Sequence, residues 1–121
     1  MRERKLAILS ILSVDVVVAN EPLAYREVLA ATLREIRPNV EMVVVEPDEL
    51  DLATALHEPR LVVCSQLTDA IERGPGAWAL LYPEGATWSE LSLAGKRTRF
   101  THVDLVQLLA FIDQAVIHGG A

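Results

Sequence analysis

The chain has 121 residues, of which 51% are hydrophobic, and its 17 acidic and 11 basic side chains give a net charge of −6. This length suits one domain with one core, because two domains of half the size would each bury too little surface to fold without disulfides or metals. The negative charge repels phosphate backbones and anionic lipids, so we expect neither nucleic acid nor a membrane surface as a partner.

Residues 1–13 are interpreted as a short leader before a single domain that spans residues 14–118. The leader has the outline of a secretory signal peptide, with a basic start followed by the apolar run Leu6–Leu12. Asp15 interrupts this apolar region, and cleavage near Ala19 would remove the most apolar strand of the chain. A leader that stays attached is therefore the preferred interpretation.

Cys64 is the only cysteine and has no partner for a disulfide within the chain. A thiol nucleophile beside His57 or His102 is one interpretation. Its place inside an apolar strand favours a small core residue, because free cysteine is among the most buried residue types. A lone thiol, with no apolar run near the roughly 20 residues that span a bilayer, predicts a cytoplasmic protein.

The first half of the domain predicts two buried strands, each followed by a helix. Val14–Ala19 and Val40–Val45 are rich in β-branched residues and almost wholly apolar, which is typical of strands buried on both faces. The first helix runs from Leu23 to Arg37, and Pro22 suits its first turn. Its apolar stripe consists of Tyr25, Leu29, Leu33 and Ile36. Arg26 is assigned to the solvent side.

A shorter second helix opens at Glu46–Pro47–Asp48, where acidic side chains favour the positive end of the helix dipole. Its predicted core face consists of Leu52, Ala53 and Leu56. Leu61–Ser65 is the third strand. Thr68–Arg73 has room for only a turn or two of helix before Gly74–Pro75–Gly76.

The second half predicts two further strands. Ala77–Tyr82 is the fourth. Thr87 and Glu90 have capping-box spacing, which predicts one or two helical turns that end at Gly95. Lys96–Phe100 alternates in polarity and is predicted to be an edge strand with one wet face.

Thr101 with Asp104 is predicted to cap the final helix, which ends at Gly119–Gly120. Its apolar positions are Leu105, Leu108, Leu109, Ile112 and Val116. Strands that alternate with helices predict an α/β fold with parallel strands joined by right-handed crossovers. We expect a three-layer, doubly wound, five-stranded parallel sheet of flavodoxin-like type, with order 2-1-3-4-5 and shortened third and fourth helices.

Ligands of such sheets bind beyond the carboxyl ends of the strands, so the residues there are the candidate site. The candidates are Asn20, Glu21, Ser65, Gln66, Glu84, Thr101 and His102. With Glu46 added, the acids and the histidine have no recognised metal-ligand spacing, and we expect no metal. No glycine-rich phosphate loop follows the first strand, so no nucleotide or flavin cofactor is expected.

The layout of Val14–Val116 resembles that of a receiver domain of two-component signalling. In such domains the first strand ends in an acidic cluster, where this chain has Asn20–Glu21–Pro22. The third strand ends in the phosphoaccepting aspartate, where this chain has Ser65. A hydroxyl residue and a Lys-Pro pair follow the last two strands, where this chain has Tyr82–Pro83 and Thr101–His102.

These differences remove the groups that the reaction of a receiver needs. Phosphoryl transfer to aspartate needs a carboxylate nucleophile, a divalent cation held by further carboxylates, and a positive charge opposite the phosphoryl group. Ser65 is not a carboxylate, Glu21 is the one acid left in its cluster, and Thr101 carries no charge. The expectation is a degenerate, non-enzymatic receiver that acts as a protein-interaction or regulatory module. The alternative is a small enzyme or ligand-binding domain that uses the polar crevice.

A partner surface is predicted around the last strand. Its candidate residues are Trp88, Leu91, Leu93, Arg97 and Arg99. Aromatic residues and arginines are enriched at interfaces, and an unpaired sheet edge needs charge or cover. We expect a symmetric homodimer or a contact with another protein here, while the alternative is that the tryptophan only covers the sheet edge.

Overall fold

A computed structural model describes residues 14–118, so the leader 1–13 and the terminating Gly119–Gly120 lie outside the described residues. The fold is α/β, with a mostly parallel sheet between two layers of helices. The strands are β1 (Val16–Ala19), β2 (Met42–Val44), β3 (Leu61–Cys64), β4 (Ala77–Leu80), β5 (Ser89–Leu93) and β6 (Lys96–Phe100). The helices are α1 (Leu23–Ile36), α2 (Leu50–His57), α3 (Asp69–Arg73) and α4 (Leu105–Asp113), which continues as a π-helical turn over Gln114–His118. None of the helices in this part of the chain is long and apolar enough to cross a membrane.

Strands β2, β1, β3 and β4 lie side by side in that order and are all parallel, as the sequence predicts for the first four strands. At the centre, Val17 pairs with Val43 on one side and with Val62 on the other. All four residues of β1 are buried, because helices cover both faces of the sheet. This explains why β1 has no polar alternation.

The other side of the sheet differs from the prediction. Strand β5 pairs antiparallel with β4, and β6 pairs antiparallel with β5, so the described sheet has six strands of mixed direction in the order β2-β1-β3-β4-β5-β6. The prediction of five parallel strands was therefore wrong, and so was the fourth helix between Thr87 and Gly95. Ala94 and Gly95 both have positive φ, 53° and 81°, and form the two-residue turn that suits a hairpin. Lys96–Phe100 is confirmed as an edge strand, but its first four residues are all exposed, so the single wet face that the alternation predicts was wrong.

Each face of the sheet carries its own core. Helices α1 and α4 cover the face that buries Val16, Val18 and Leu91, and α2 and α3 cover the face that buries Val17 and Trp78. Cys64 belongs to the second core and is fully buried, which confirms it as a core residue. As predicted, α3 is short, with five residues.

Two helix faces differ from those that the sequence predicts. Arg26 is buried, with 3% of its side chain exposed, although its charge favoured the solvent side. In α2 the buried residues are Leu50 and Ala53, while Leu52 and Leu56 are 73% and 54% exposed. The final helix is capped by Asp104, whose capping box with Gln107 is complete, so the predicted cap by Thr101 with Asp104 was wrong.

Candidate functional site at the carboxyl edge of the sheet

A polar crevice of about 520 Å³ lies beyond the carboxyl ends of β1, β2 and β3. Its lining residues are Glu21, Glu46, Pro47, Asp48, Asp51, Gln66 and Thr68. Glu21 and Gln66 were candidates from the sequence, and they meet because their parallel strands end at the same edge. The four carboxylates make the crevice strongly acidic.

The guanidinium of Arg26 lies against this acidic lining. Its Nη2 donates a hydrogen bond to Oε1 of Glu46 at 3.2 Å, and its Nη1 is 3.7 Å from Oε2 of Glu21. The same Nη1 donates to the backbone oxygen of Asn20 at 3.5 Å. Helix α1 thus supplies one buried positive charge to two acids that follow β1 and β2.

Asn20, the residue after β1, is wholly buried. Within residues 14–118, neither its side-chain nitrogen nor its side-chain oxygen has a hydrogen-bond partner, and the same holds for Nε of Arg26. A buried polar group without a partner costs about 1–3 kcal/mol. The side-chain amide of Asn20 and the single atom Nε of Arg26 therefore lower the stability of the folded state at this edge.

Ser65, the candidate residue that directly follows β3, has a structural contact. Its Oγ accepts a hydrogen bond from the backbone N–H of Glu21 at 2.9 Å and so ties the loop after β1 to the end of β3. Its neighbour Cys64 is not an activated nucleophile, because burial raises the pKa of the thiol to about 12. Neither side chain has the surroundings of an activated nucleophile.

Glu84, Thr101 and His102 are exposed and do not line the crevice. The additional strand β5 explains why Thr101 and His102 lie away from the crevice. Residues after β6 lie at the same edge as those after β3, but three strand spacings away, about 14 Å rather than the about 10 Å of the predicted order. Glu84 lies in the turn after β4, at a positive φ of 52°.

A second polar cluster covers the β5–β6 hairpin on the face of α3. Oε1 of Glu90 accepts a hydrogen bond from Nε of Arg97 at 2.7 Å, and Oε2 accepts one from Nη2 of Arg99 at 3.3 Å. Arg97 also pairs with Glu72 of α3 at 2.7 Å. Burial by itself raises the pKa of the Glu90 carboxyl, but the two arginines outweigh it and hold that pKa below its ordinary value. The buried carboxylate of Glu90 is thus compensated by the positive charges of Arg97 and Arg99.

The arginines of this cluster also lie over aromatic rings. The guanidinium carbon of Arg97 is 4.9 Å from the centre of the Trp78 ring, and that of Arg99 is 3.9 Å from the centre of the Trp88 ring. Such stacking adds cation–π attraction to the burial of the aliphatic stems. Arg97 and Arg99 therefore cover part of the sheet that the short α3 leaves open.

Of the five predicted interface residues, three lie at the surface of this hairpin: Trp88, Arg97 and Arg99. Leu91 is 6% exposed and belongs to the core under α1 and α4, and Leu93 packs against the same core. The apolar part of the predicted surface is therefore smaller than the sequence indicates.

Sequence reasoning missed Arg26 as a member of the site. Its position was visible in the helical spacing, because Arg26, Leu29, Ala30 and Leu33 follow one another at intervals that place them on one face of α1. The contribution of Asp51 and Thr68 was also missed. Thr68 Oγ1 donates to Oδ1 of Asp51 at 2.7 Å and joins α2 to the start of α3, a long-range contact that no local pattern predicts.

Across residues 14–118, no three His, Cys, Asp or Glu side chains are arranged to hold a metal ion. No family model matches the chain, and neither the curated proteins nor the solved structures yielded a significant match. Function has to be inferred from the contacts of the chain itself.

Proposed function

We propose that this chain is a degenerate receiver-like module of flavodoxin-like type that has no catalytic activity and works by binding protein, with a second copy of itself as the partner. The observation that carries the proposal is the β5–β6 hairpin. Strand β6 is the edge of the sheet. Beside it, the guanidinium of Arg99 lies over the ring of Trp88. On the same face of the sheet, Arg97 forms an ion pair with Glu72 of α3.

The hairpin has the composition of a binding surface. Tryptophan and arginine are among the residue types most enriched in positions that dominate binding energy, and here Glu90 holds the two arginines in place. The backbone of β6 adds a strand edge, which is a template for pairing with another chain. A two-fold symmetric contact places the same patch of both copies together, as in most homodimers.

The crevice at the carboxyl edge supports the non-catalytic part of the proposal. Ser65 takes the position of the acceptor aspartate, and its Oγ already accepts the N–H of Glu21. Arg26 lies against Glu21 and Glu46, so these acids face a fixed positive charge rather than a cation from solution. This pairing disfavours a divalent cation held by Glu21 and Glu46, and with it the transfer of a phosphoryl group in the manner of a receiver.

Sedimentation velocity at tens of micromolar tests the partner surface. We expect a dimer for the unmodified chain and a monomer for Trp88→Glu, because the substitution removes the aromatic side chain from the centre of the contact and puts there a charge that is costly to desolvate. Leu52→Glu is the matched control, since it places the same charge on an exposed leucine of α2. A monomeric unmodified chain, or a dimer that Leu52→Glu dissociates and Trp88→Glu does not, contradicts the proposal.

Incubation with Mg²⁺ and acetyl phosphate tests the absence of phosphorylation. We expect the intact mass to stay unchanged, because Ser65 is not a carboxylate and its Oγ already accepts the N–H of Glu21. A gain of one phosphoryl group that Ser65→Ala abolishes would show that the chain is a working acceptor.

The acidic crevice favours one alternative function, the binding of a small cation. Four carboxylates against one buried arginine leave excess negative charge in a cavity of about 520 Å³. If the interaction-module proposal is right, millimolar Mg²⁺ or spermidine leaves the melting temperature unchanged, since only binding to the folded state raises it. A saturable rise that Asp51→Asn reduces would support the ligand-binding alternative instead.

A further inference from the structure

Strand β6 is the open edge of the sheet, and its outer side has no backbone partner within residues 14–118. It pairs with β5 on one side, and no other strand of the described chain pairs with it. The pairing with β5 is regular, from Lys96 opposite Leu93 to Phe100 opposite Ser89, and β6 contains neither a bulge nor a proline. Such an edge is a template for a further strand.

The turn of the hairpin decides which backbone groups of β6 face the open side. In a hairpin with a two-residue turn, the residues that flank the turn exchange both backbone hydrogen bonds, and every second pair after them does the same. The turn here is Ala94–Gly95, so the N–H and C=O groups of Lys96 and Thr98 point toward β5. The backbone groups of Arg97 and Arg99 therefore point outward and offer two donors and two acceptors at the open edge.

The side chains of β6 are basic, although the chain as a whole has a net charge of −6. Lys96, Arg97 and Arg99 supply three positive charges, and the strand contains no acid. Both arginines share the single carboxylate of Glu90, and the side chain of Arg99 is still 61% exposed. A guanidinium has five N–H donors, so Arg99 has donors left for a further carboxylate.

These charges disfavour a second copy of β6 as the strand at this edge. In an antiparallel pair, side chains directly opposite each other lie on the same face, and like charges there are destabilising. A two-fold axis at Thr98 places Arg97 of one copy opposite Arg99 of the other, and an axis at either arginine places it opposite its own copy. A two-fold dimer therefore uses the side-chain face that carries Trp88 and leaves the backbone edge of β6 open.

We propose that the open edge of β6 binds an extended, acidic segment of another protein as an additional antiparallel strand. The backbone of the segment bonds to the outward N–H and C=O groups of Arg97 and Arg99, and alternate Asp or Glu side chains of the segment lie opposite the two arginines. A proline or a bulge would block every incoming strand, whereas the positive charges reject basic segments and attract acidic ones. This partner goes beyond the proposed dimer, because it binds the backbone edge.

Four synthetic peptides test the proposal on the full chain by fluorescence anisotropy. The probe is a capped heptapeptide of sequence TVEVEVT that carries a neutral dye. Its two glutamates lie opposite Arg97 and Arg99, so their N–H groups face β6, while the N–H groups of the valines face away. One matched peptide has N-methyl groups on both glutamates, a second has them on the last two valines, and a third has lysine in place of both glutamates.

We expect the probe to bind with a dissociation constant below about 1 mM. Methylation of the glutamates should weaken binding about tenfold or more, because it removes two backbone hydrogen bonds. Methylation of the valines should have a much smaller effect, and the lysine peptide should bind about tenfold more weakly or not at all. No binding of the probe at about 1 mM, equal binding of the two methylated peptides, or equal binding of the lysine peptide overturns the proposal.

Hydrogen exchange measured by NMR locates the bound peptide. At saturation, the amides of Arg97 and Arg99 should exchange about tenfold more slowly, and the amide of Thr98, which already bonds to β5, should change less. Unchanged exchange at the two arginines would place the peptide elsewhere and overturn the proposal. Slow exchange at both arginines before peptide is added would also overturn it, because the edge is then already paired.

Arg99→Gln tests the side-chain contribution, and Arg34→Gln is the matched control, since it removes the same charge from an exposed position on α1. We expect Arg99→Gln to weaken binding of the probe about two- to fivefold and Arg34→Gln to leave it unchanged. Equal weakening would show a general attraction between charges and contradict the edge site. Sedimentation of the same samples separates the two proposals: a dimer that binds no probe overturns only the additional strand, and a monomer that binds it overturns only the dimer.

Discussion

Arg26 and Arg97 each contact two glutamates, yet the two clusters place the buried charge differently. At the carboxyl edge the arginine is buried, with 3% of its side chain exposed, and its partners Glu21 and Glu46 are more than half exposed at 3.7 and 3.2 Å. At the hairpin the buried member is Glu90, and Arg97 lies over it at 2.7 Å with the face of its guanidinium on Trp78.

The difference shows what each region is built for. The hairpin cluster satisfies its buried charge with short bonds and adds stacking, so it stabilises the fold where the helix layer is thin. The carboxyl-edge cluster leaves Nε of Arg26 and the amide of Asn20 without partners among the described residues, so it weakens the fold. Stability is concentrated at the hairpin, and unsatisfied polarity at the edge where ligands of such sheets bind.

The largest effect should come from the aromatic floor of the hairpin cluster. Trp78→Ala removes a side chain that is 2% exposed and leaves a cavity, so we expect the free energy of unfolding to fall by about 3–5 kcal/mol. Trp88→Ala is the comparison, since Trp88 is only partly buried, and it should lose about 1–2 kcal/mol on the same scale. Urea unfolding measures both. Equal losses would mean that the ring under Arg97 is not the anchor of this region.

Glu90→Gln should have the next largest effect. At neutral pH it removes the charge that pairs with both arginines, and we expect a loss of about 1–3 kcal/mol by urea unfolding. The pKa of Glu90 is below its ordinary value of 4.5, so its stabilising effect is present above that pH and is lost as pH falls through the lowered value. The melting temperature of Glu90→Gln should therefore fall less between pH 5 and pH 3 than that of the unmodified chain.

Asp113→Asn tests a second contribution to the loss of stability at low pH. The hydrogen bonds from Arg37 hold the pKa of Asp113 below its ordinary value, so this acid contributes a pH dependence of the same sign from the α1–α4 side. The two substitutions are far apart and should flatten the pH profile additively. A profile that neither substitution changes would assign the acid sensitivity to other carboxylates.

The smallest effect is expected at the carboxyl edge. Arg26→Met keeps the length of an unbranched side chain and removes a buried charge, while Glu21 and Glu46 remain hydrated. We expect the free energy of unfolding to change by less than about 1 kcal/mol or to rise, because the substitution removes the one desolvated charge and the two carboxylates that lose their partner are exposed. Arg97→Met, measured in the same urea series, should cost more because it leaves Glu90 buried and partly unpaired. The reverse ranking would contradict the contrast between the two clusters.

Part of the candidate site was visible in the sequence. Parallel strands end at one edge, so Glu21, Ser65 and Gln66 were correctly placed together from the strand ends alone. The convergence of Thr101 and His102 was a wrong expectation, because it depended on the position of their strand in the sheet. An antiparallel β5 between β4 and β6 moved them one strand away, and the segment Ser89–Leu93 contains too few apolar residues to indicate a buried strand.

The sequence by itself determined β1 to β4 and α1. Runs such as Val16–Ala19 are apolar on both faces and exclude every position except the centre of a covered sheet. The presence of α4 was also predicted, but its capping residues Asp104 and Gln107 lie three positions after the predicted pair Thr101 and Asp104.

Which charged side chains are buried was decided only by the tertiary structure. Glu90 is buried because Arg97 and Arg99 come alongside it from the neighbouring strand, and Arg26 is buried because Glu46 follows β2, twenty positions along the chain. A charged side chain can be buried when its partner is near, and nearness between residues of different strands is set by pairing and register, which no local pattern encodes.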